Sequence, residues 1–336
     1  MKTSIKRSGL SLGFAIAICL AIASLSQPIC LAQTPEPTYA ERLGWPEGAK
    51  VVIFHIDDAG MCHDANLGTI EALENGVSTS TSIMMPCSWV PEFAAYLKEH
   101  PDVDAGIHLT LTSEWDNYRW GPLAGKAAVP SLCDAQGCLW GNVQDVLKHG
   151  LAEEVEVEIR AQIDRALEMG LKPTHLDSHM ATLFTSPLFF HRYMKVGIDT
   201  GIPILVPGGH LQFIAEDMPE LAPQVRHIAR QVWEAGLPAV DDIVAATYDW
   251  KSFEDKKAKT INVLRTMKPG ITEIIQHCTR PTEVFEQIST SSETRLSDLR
   301  VSLDPEIREV IKQEGIVLTT WRELKERRDA MAVTNE

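Results

Sequence analysis

The chain contains no low-complexity tract and no internal repeat at a period of roughly 20–50 residues, which sets aside solenoids, propellers and linker-type chains. It lacks any excess of positive charge: 31 Lys and Arg stand against 46 Asp and Glu, a formal net charge of −15. An acidic body argues against nucleic acid or an anionic lipid surface as a partner. Cysteine is sparse, with seven in 336 residues, and no second short-spaced pair accompanies Cys133 and Cys138, so a zinc ribbon is excluded. Aromatic residues make up only 7%. Beyond residue 32 no apolar run approaches the ~20 residues that a membrane-spanning helix needs.

What is present begins with a short basic start at Lys2, Lys6 and Arg7, followed by a nearly unbroken apolar run over 12–25 and a small-x-small site at Cys30-Leu31-Ala32. That order is the order of a secretory signal peptide over residues 1–32. The rival reading, a retained membrane anchor, has too short an apolar run. Export to the periplasm or beyond is therefore expected, with no stable membrane span after cleavage. Removing three basic residues and no acids takes the charge from −15 to −18. An oxidising compartment permits disulfides. Cys133 and Cys138 bracket the turn sequence Asp-Ala-Gln-Gly, so a local bridge is expected there, with two free thiols as the alternative.

Residues 33–49 carry Pro35, Pro37 and Pro46 without periodicity and read as an N-terminal tail; 326–336 reads as a C-terminal one. Between them, over 50–325, strand and helix patterns alternate. Strands are expected at 51–56, 79–85, 104–111, 173–179, 204–206, 271–276 and 316–320. Helices are expected at 64–74, 91–100, 152–169, 221–233, 253–267 and 304–314. Such alternation implies an α/β fold of mostly parallel strands with helices outside. Its length suits an irregular (β/α) barrel better than an open sheet. The stretch 207–252 is the least regular and reads as an insertion.

Asp57-Asp58 falls at the C-terminal end of the first apolar strand, the edge where barrel enzymes build their sites. Adjacent carboxylates repel each other. A bound cation relieves this and lets one Asp ligate while the other stays free as a base; an exposed helix cap would also explain the pair. In His175-Leu176-Asp177-Ser178-His179 the strand period of two puts His175, Asp177 and His179 on one face. Three polar groups on one face of a buried strand are costly unless they bind something. His108 and His277 also end apolar strands. One carboxylate with two imidazoles leaves ligand positions open, as catalytic metal sites do. Trp115, Tyr118, Trp120 and Trp140 cluster in the long loop 113–146, as a sugar platform or as ordinary packing.

These segments carry a resemblance. Asp57-Asp58-Ala59-Gly60, Asn66, the Ser/Thr-rich strand 78–85, Gly106 to Thr112, His175 to His179, His277 and Arg295 to Leu299 resemble, in order and spacing, the YdjC-like carbohydrate deacetylases from about Val51 to Leu324. The resemblance implies an irregular (β/α) barrel of the glycoside hydrolase/deacetylase type that removes N-acetyl groups from amino sugars. It implies one divalent metal ion, zinc or magnesium, held by Asp58, His108 and His179, with Asp57 as base. His277 is the candidate to protonate the leaving amine, and His175 or Asp177 would orient the ligands. Trp115, Trp120 and Arg295 are the candidates for holding the acetylated saccharide, and a homodimer is left open. Ala59 replaces the aromatic residue usual before the Gly, and Met180-Ala181 replaces the usual His-rich run. The other classes that this site admits are a metal-dependent esterase or phosphoesterase and a non-catalytic carbohydrate-binding protein. No basic cluster stands beside the motifs to bind a phosphate.

Overall fold

A computed structural model describes residues 36–217, 222–250 and 252–333; the leader expected over 1–32 lies outside them. Among the described residues, seven strands form one sheet: β1 (Lys50–Ala59), β2 (Ser80–Ile83), β3 (Ala105–Leu109), β4 (Leu176–Ser178), β5 (Asp242–Val244), β6 (Gly270–Gln276) and β7 (Val317–Leu318). Their order is β4-β3-β2-β1-β6-β5, with every pairing parallel.

β1 is the spine. It pairs with β6 from Lys50↔Gly270 to Ile56↔Gln276, so one edge is occupied along most of its length. The other edge is shared: β7 takes Val51 and Val52, and β2 takes His55 onward. Alternation along β1 sorts its side chains between two environments. Val52 and Phe54 join an outer apolar cluster with Ile274, Val263, Leu264, Ile307 and Val310. His55 points inward, where Ser80 and Ser82 of β2 meet it at 3.0 and 3.1 Å.

The ring closes through a segment too short to count as a strand. Leu176 N donates to Pro203 O (2.8 Å) and Leu205 N to Leu176 O (2.9 Å); on the far side Gly208 N donates to Val240 O (2.9 Å). Asp241 N then donates to Ile271 O (2.8 Å), which leads into β5 and β6. The extended segment 203–208 therefore spans the gap between β4 and β5. The strand expected at 204–206 exists only as these bridges, and 207–252 is not an insertion throughout, because it supplies β5.

Helices occupy His63–Asn75, Val90–Glu99, Ala152–Glu168, Ala222–Glu234, Phe253–Thr266 and Pro305–Gln313, close to expectation. Others carried weaker signals. Ser292–Leu303 buries Arg295, Ser297, Asp298 and Ser302 beside Leu299 and Val301, so it has no apolar stripe to announce it. No helix among the described residues is long and apolar enough to cross a membrane.

Three local expectations are corrected. Both thiols of Cys133 and Cys138 are free. Their turn is held instead by Asp134, whose Oδ1 accepts from Gln136 N (2.9 Å) and Cys138 N (3.1 Å). The supposed C-terminal tail begins within the helix Trp321–Val333. The supposed N-terminal tail contains a turn of helix, Tyr39–Arg42, closed by a reciprocal Thr38–Glu41 capping box.

That turn is fastened to the barrel by Asp241. Its carboxylate accepts from Tyr39 N (2.9 Å), Ala40 N (3.2 Å) and Ile271 N (2.8 Å), joining the N-terminal segment to the start of β6. Replacing Asp241 with Ala leaves three buried amides without acceptors. Urea unfolding should show a loss of about 3 kcal/mol or more, at ~1–3 kcal/mol per unsatisfied buried group. An unchanged midpoint would mean that water replaces the carboxylate.

Candidate metal centre and active site

The register of β1 against β2 breaks between Ile56↔Thr81 and Ala59↔Ile83. Asp57 and Asp58 form that irregularity, and Asp58 has a φ of +69°. In a regular strand the two carboxylates would point to opposite faces. A bulge re-aims them. Here both come to face one imidazole: His108 Nε2 stands 3.4 Å from Asp58 Oδ1 and 3.7 Å from Asp57 Oδ2. A non-glycine residue held in the left-handed region costs ~1–3 kcal/mol and persists where its surroundings enforce it. Gly60, at φ +80°, completes the turn. A Cβ there would lie 2.7 Å from Val90 Cγ2, and Asn66 Oδ1 accepts from its N–H at 2.7 Å.

His108 comes from the end of β3, and His179 follows directly on β4. Gly106 lets β3 approach this region closely, since a Cβ would lie 2.5 Å from His175 Cε1. His179 Nδ1 lies 3.2 Å from Asp58 Oδ1. Asp58 Oδ1, His108 Nε2 and His179 Nδ1 therefore converge, and the Asp58 oxygen is buried without a hydrogen bond. Donors about 2.0–2.1 Å from one tetrahedral ion stand roughly 3.3–3.4 Å apart. The 3.4 and 3.2 Å separations from Asp58 Oδ1 match that spacing, and the three donors lie within 4.8 Å of one another. The donor set suits a divalent ion.

Each imidazole is fixed from behind. Asp177 Oδ1 lies 2.7 Å from His108 Nδ1, and Glu114 Oε1 lies 2.9 Å from His179 Nε2. Such partners orient a ligating imidazole and set its tautomer. Of the two residues expected in this role, Asp177 is the one placed against a candidate ligand. His175 does not touch His108 or His179. It stacks on Trp321 with ring centres 5.3 Å apart, and its Nδ1 is 3.0 Å from Thr174 Oγ1.

The electrostatics follow from burial and pairing. Burial alone would raise the Asp58 carboxyl, yet Arg295, whose Nη2 donates to Oδ2 at 2.7 Å, and His179 hold it well below the usual carboxylate range. Burial would depress His179, but Glu114 and Asp58 raise it to about 10. Asp177 is likewise held down against burial by His108 and His55. His277 goes the other way: burial lowers it to about 4, so its imidazole is neutral.

His277 follows β6. Its Nε2 stands 3.6 Å from Asp57 Oδ2, and its backbone N donates to Asp298 Oδ2 at 3.0 Å. Asp298 Oδ1 pairs with the buried Lys256 Nζ at 2.7 Å, which also donates to Thr247 O. This buried pair joins His277 to the turn Ala246–Asp249, whose Tyr248 lies against the His277 ring at 4.9 Å.

The structure thus brings together Asp57, Asp58, His108, Asp177, His179, His277 and Arg295. Arg295 reaches Asp58 rather than open solvent. Of the loop aromatics, Trp115 directly follows Glu114 in the chain. Trp120 is buried and spends its Nε1 on Thr112 O (2.9 Å), with Trp115 and Tyr118 packed edge-on against it. Trp120 is therefore loop packing and offers no open face, whereas Trp115 is half-buried. Three participants went unread in the sequence. His55 was legible from its i, i+2 relation to Asp57 on an inward-facing strand. Glu114 and Lys256 gave no local signal, because one lies in an irregular loop and the other in a helix whose neighbours are charged.

Residues 51–313 match the model of the YdjC-like protein family. A carbohydrate deacetylase of Thermus thermophilus is 30% identical over 286 residues, covering 85% of this chain and 97% of that protein. A carbohydrate deacetylase of Thermoanaerobacter pseudethanolicus is 25% identical over 276 residues, covering 82% and 100%. A crystal structure from Enterococcus faecalis, described as a cellobiose-phosphate cleavage protein, has the same fold, with a TM-score of 0.67 at 24% identity over 82% of this chain and 99% of that one. With most of the barrel matched, this chain belongs to the YdjC-like protein family.

Proposed function

We propose that this protein is an exported, metal-dependent carbohydrate deacetylase that hydrolyses the amide of N-acetylated sugars. The observation that carries the reading is the convergence of Asp58 Oδ1, His108 Nε2 and His179 Nδ1 with Asp57 beside them and outside the donor set. The deacetylase names of full-length relatives support the substrate class. Two imidazoles with one carboxylate suit zinc better than magnesium.

When bound, the ion would polarise the acetyl carbonyl and acidify the attacking water. The chain's own residues do the rest. Asp57 is 13% exposed at its side chain, open enough to meet water, and turns Oδ2 toward the mouth. It takes the proton of the water as oxygen bonds to the acetyl carbon. His277 is neutral as it stands and can accept that proton from Asp57 Oδ2, 3.6 Å away, then hand it to the sugar nitrogen as the C–N bond breaks. Acetate and a free amino sugar leave. Arg295 fixes the far oxygen of Asp58 and keeps that carboxylate charged.

Acetate release from a panel of N- and O-acetylated saccharides, with and without chelator, tests the reading. N-acetylated sugars should be hydrolysed, and chelation should abolish turnover while the thermal melt still shows a folded chain. Release from O-acetylated substrates alone would make the protein an esterase.

His108→Ala and His179→Ala should each lower metal content sharply, as measured by elemental analysis after dialysis. Wild-type metal in either variant would remove that residue from the donor set. Asp57→Asn should keep its metal and lose about 10²–10⁴-fold in turnover, the contribution usual for a general base. If metal and activity vanish together, the roles of Asp57 and Asp58 are exchanged.

A further inference from the structure

His55 lies beneath the centre, fully buried, and belongs to no ligand set described above. Its Nε2 stands 3.2 Å from Asp57 Oδ1 and 3.0 Å from Asp177 Oδ2, with Ser82 Oγ at 3.1 Å. Its Nδ1 meets Ser80 Oγ at 3.0 Å. The two carboxylates it touches do different work. Asp57 presents Oδ2 to the His108 and His277 side, and Asp177 presents Oδ1 to His108 Nδ1. In each case His55 occupies the other oxygen.

We infer that His55 is a positioning residue of the proposed reaction: it holds Asp57 Oδ1 and Asp177 Oδ2 from below, so that the base and the orienter of His108 are aimed as one unit. The inference rests on the deacetylase reading for the role of Asp57, and on geometry for the rest.

Charge supports it. Asp57, Asp58, Asp177 and Glu114 bring four carboxylates to one small region, and the buried Glu273 of β6 faces His55 as a fifth. Arg295 offsets one, and a divalent ion would offset two. An imidazolium at His55 offsets a further one. Burial alone would depress His55, but the Asp177 and Asp57 carboxylates beside its Nε2, with Glu273 nearby, hold it well above its ordinary value. Ser80 and Ser82 can each accept from such a ring. No other cation touches Asp177 among the described residues apart from the imidazoles of His108 and His175, and the latter is held neutral by burial and by His55 itself.

A different occupant of the same residues is conceivable on donor chemistry, because His55, His175 and Asp177 would also suit an ion. Metal stoichiometry separates the two.

The experiment compares His55→Asn and His55→Gln with wild type. Gln places an amide donor near the position of Nε2, whereas Asn stops short, near Nδ1. His55→Asn should keep one metal equivalent and its melting temperature, keep KM, and lose ~10–100-fold in kcat, the usual effect of removing a group that orients an active residue. His55→Gln should recover most of that loss. In the metal-free wild type, nitrogen-edited NMR should show a slowly exchanging imidazole N–H of His55 that shifts in Asp57→Asn. Wild-type kcat in His55→Asn overturns the inference. So do equal losses in both variants that track a lowered melting temperature, and so do two metal equivalents in wild type falling to one in His55→Asn. If wild type releases no acetate, the deacetylase reading fails by itself, and the NMR shift still decides whether His55 holds Asp57.

Discussion

Four carboxylates gathered at one end of a closed barrel repel one another, and most of what surrounds them is an answer to that repulsion. Arg295 reaches in from a helix to take one oxygen of Asp58. Glu114 and Asp177 each fall on the outer nitrogen of an imidazole whose inner nitrogen faces Asp58. His55 sits between Asp57, the one that remains, and the second oxygen of Asp177. Low local dielectric makes every such contact strong and every omission costly. The helices that bring Arg295 and Lys256, the serines of β2 and the turn bearing Tyr248 are all tied to this cluster through hydrogen bonds or ring contacts.

The bulge in β1 is the backbone counterpart of that charge problem. A straight strand would send Asp57 and Asp58 to opposite faces, one into the barrel and one toward the outer helices. The left-handed turn at Asp58 brings both to the mouth while leaving them unequal. One converges with two imidazoles and is locked by Arg295. The other lies beside His55 on one oxygen and turns the second toward His108 and His277. Two different environments therefore arise for neighbouring, chemically identical residues through backbone conformation, which is what the proposed division into base and ligand needs.

The sequence disclosed the parts of this arrangement that follow a period. Apolar alternation located β1, β3 and β6, and the i, i+2 spacing put Asp177 on the face of His179. Polar residues at strand ends marked the mouth. It did not disclose what depends on chain crossings. Glu114 lies in an irregular loop, and Lys256 and Asp298 meet across two helices. The helix Ser292–Leu303 is buried by polar groups, so hydrophobic pattern was silent there. The bridge at 203–208 was legible as an apolar run, but not as the closure of the ring. Trp120 misled because an aromatic in a loop reads the same whether it faces a ligand or the loop's own core.

Trp321 fills the barrel interior below His175, with its Nε1 on Glu273 and its backbone N on Asp104. It opens the helix Trp321–Val333 and is fully buried. The space below His175 is therefore occupied by protein, and the carboxylates nearest it have side chain rather than solvent at their backs.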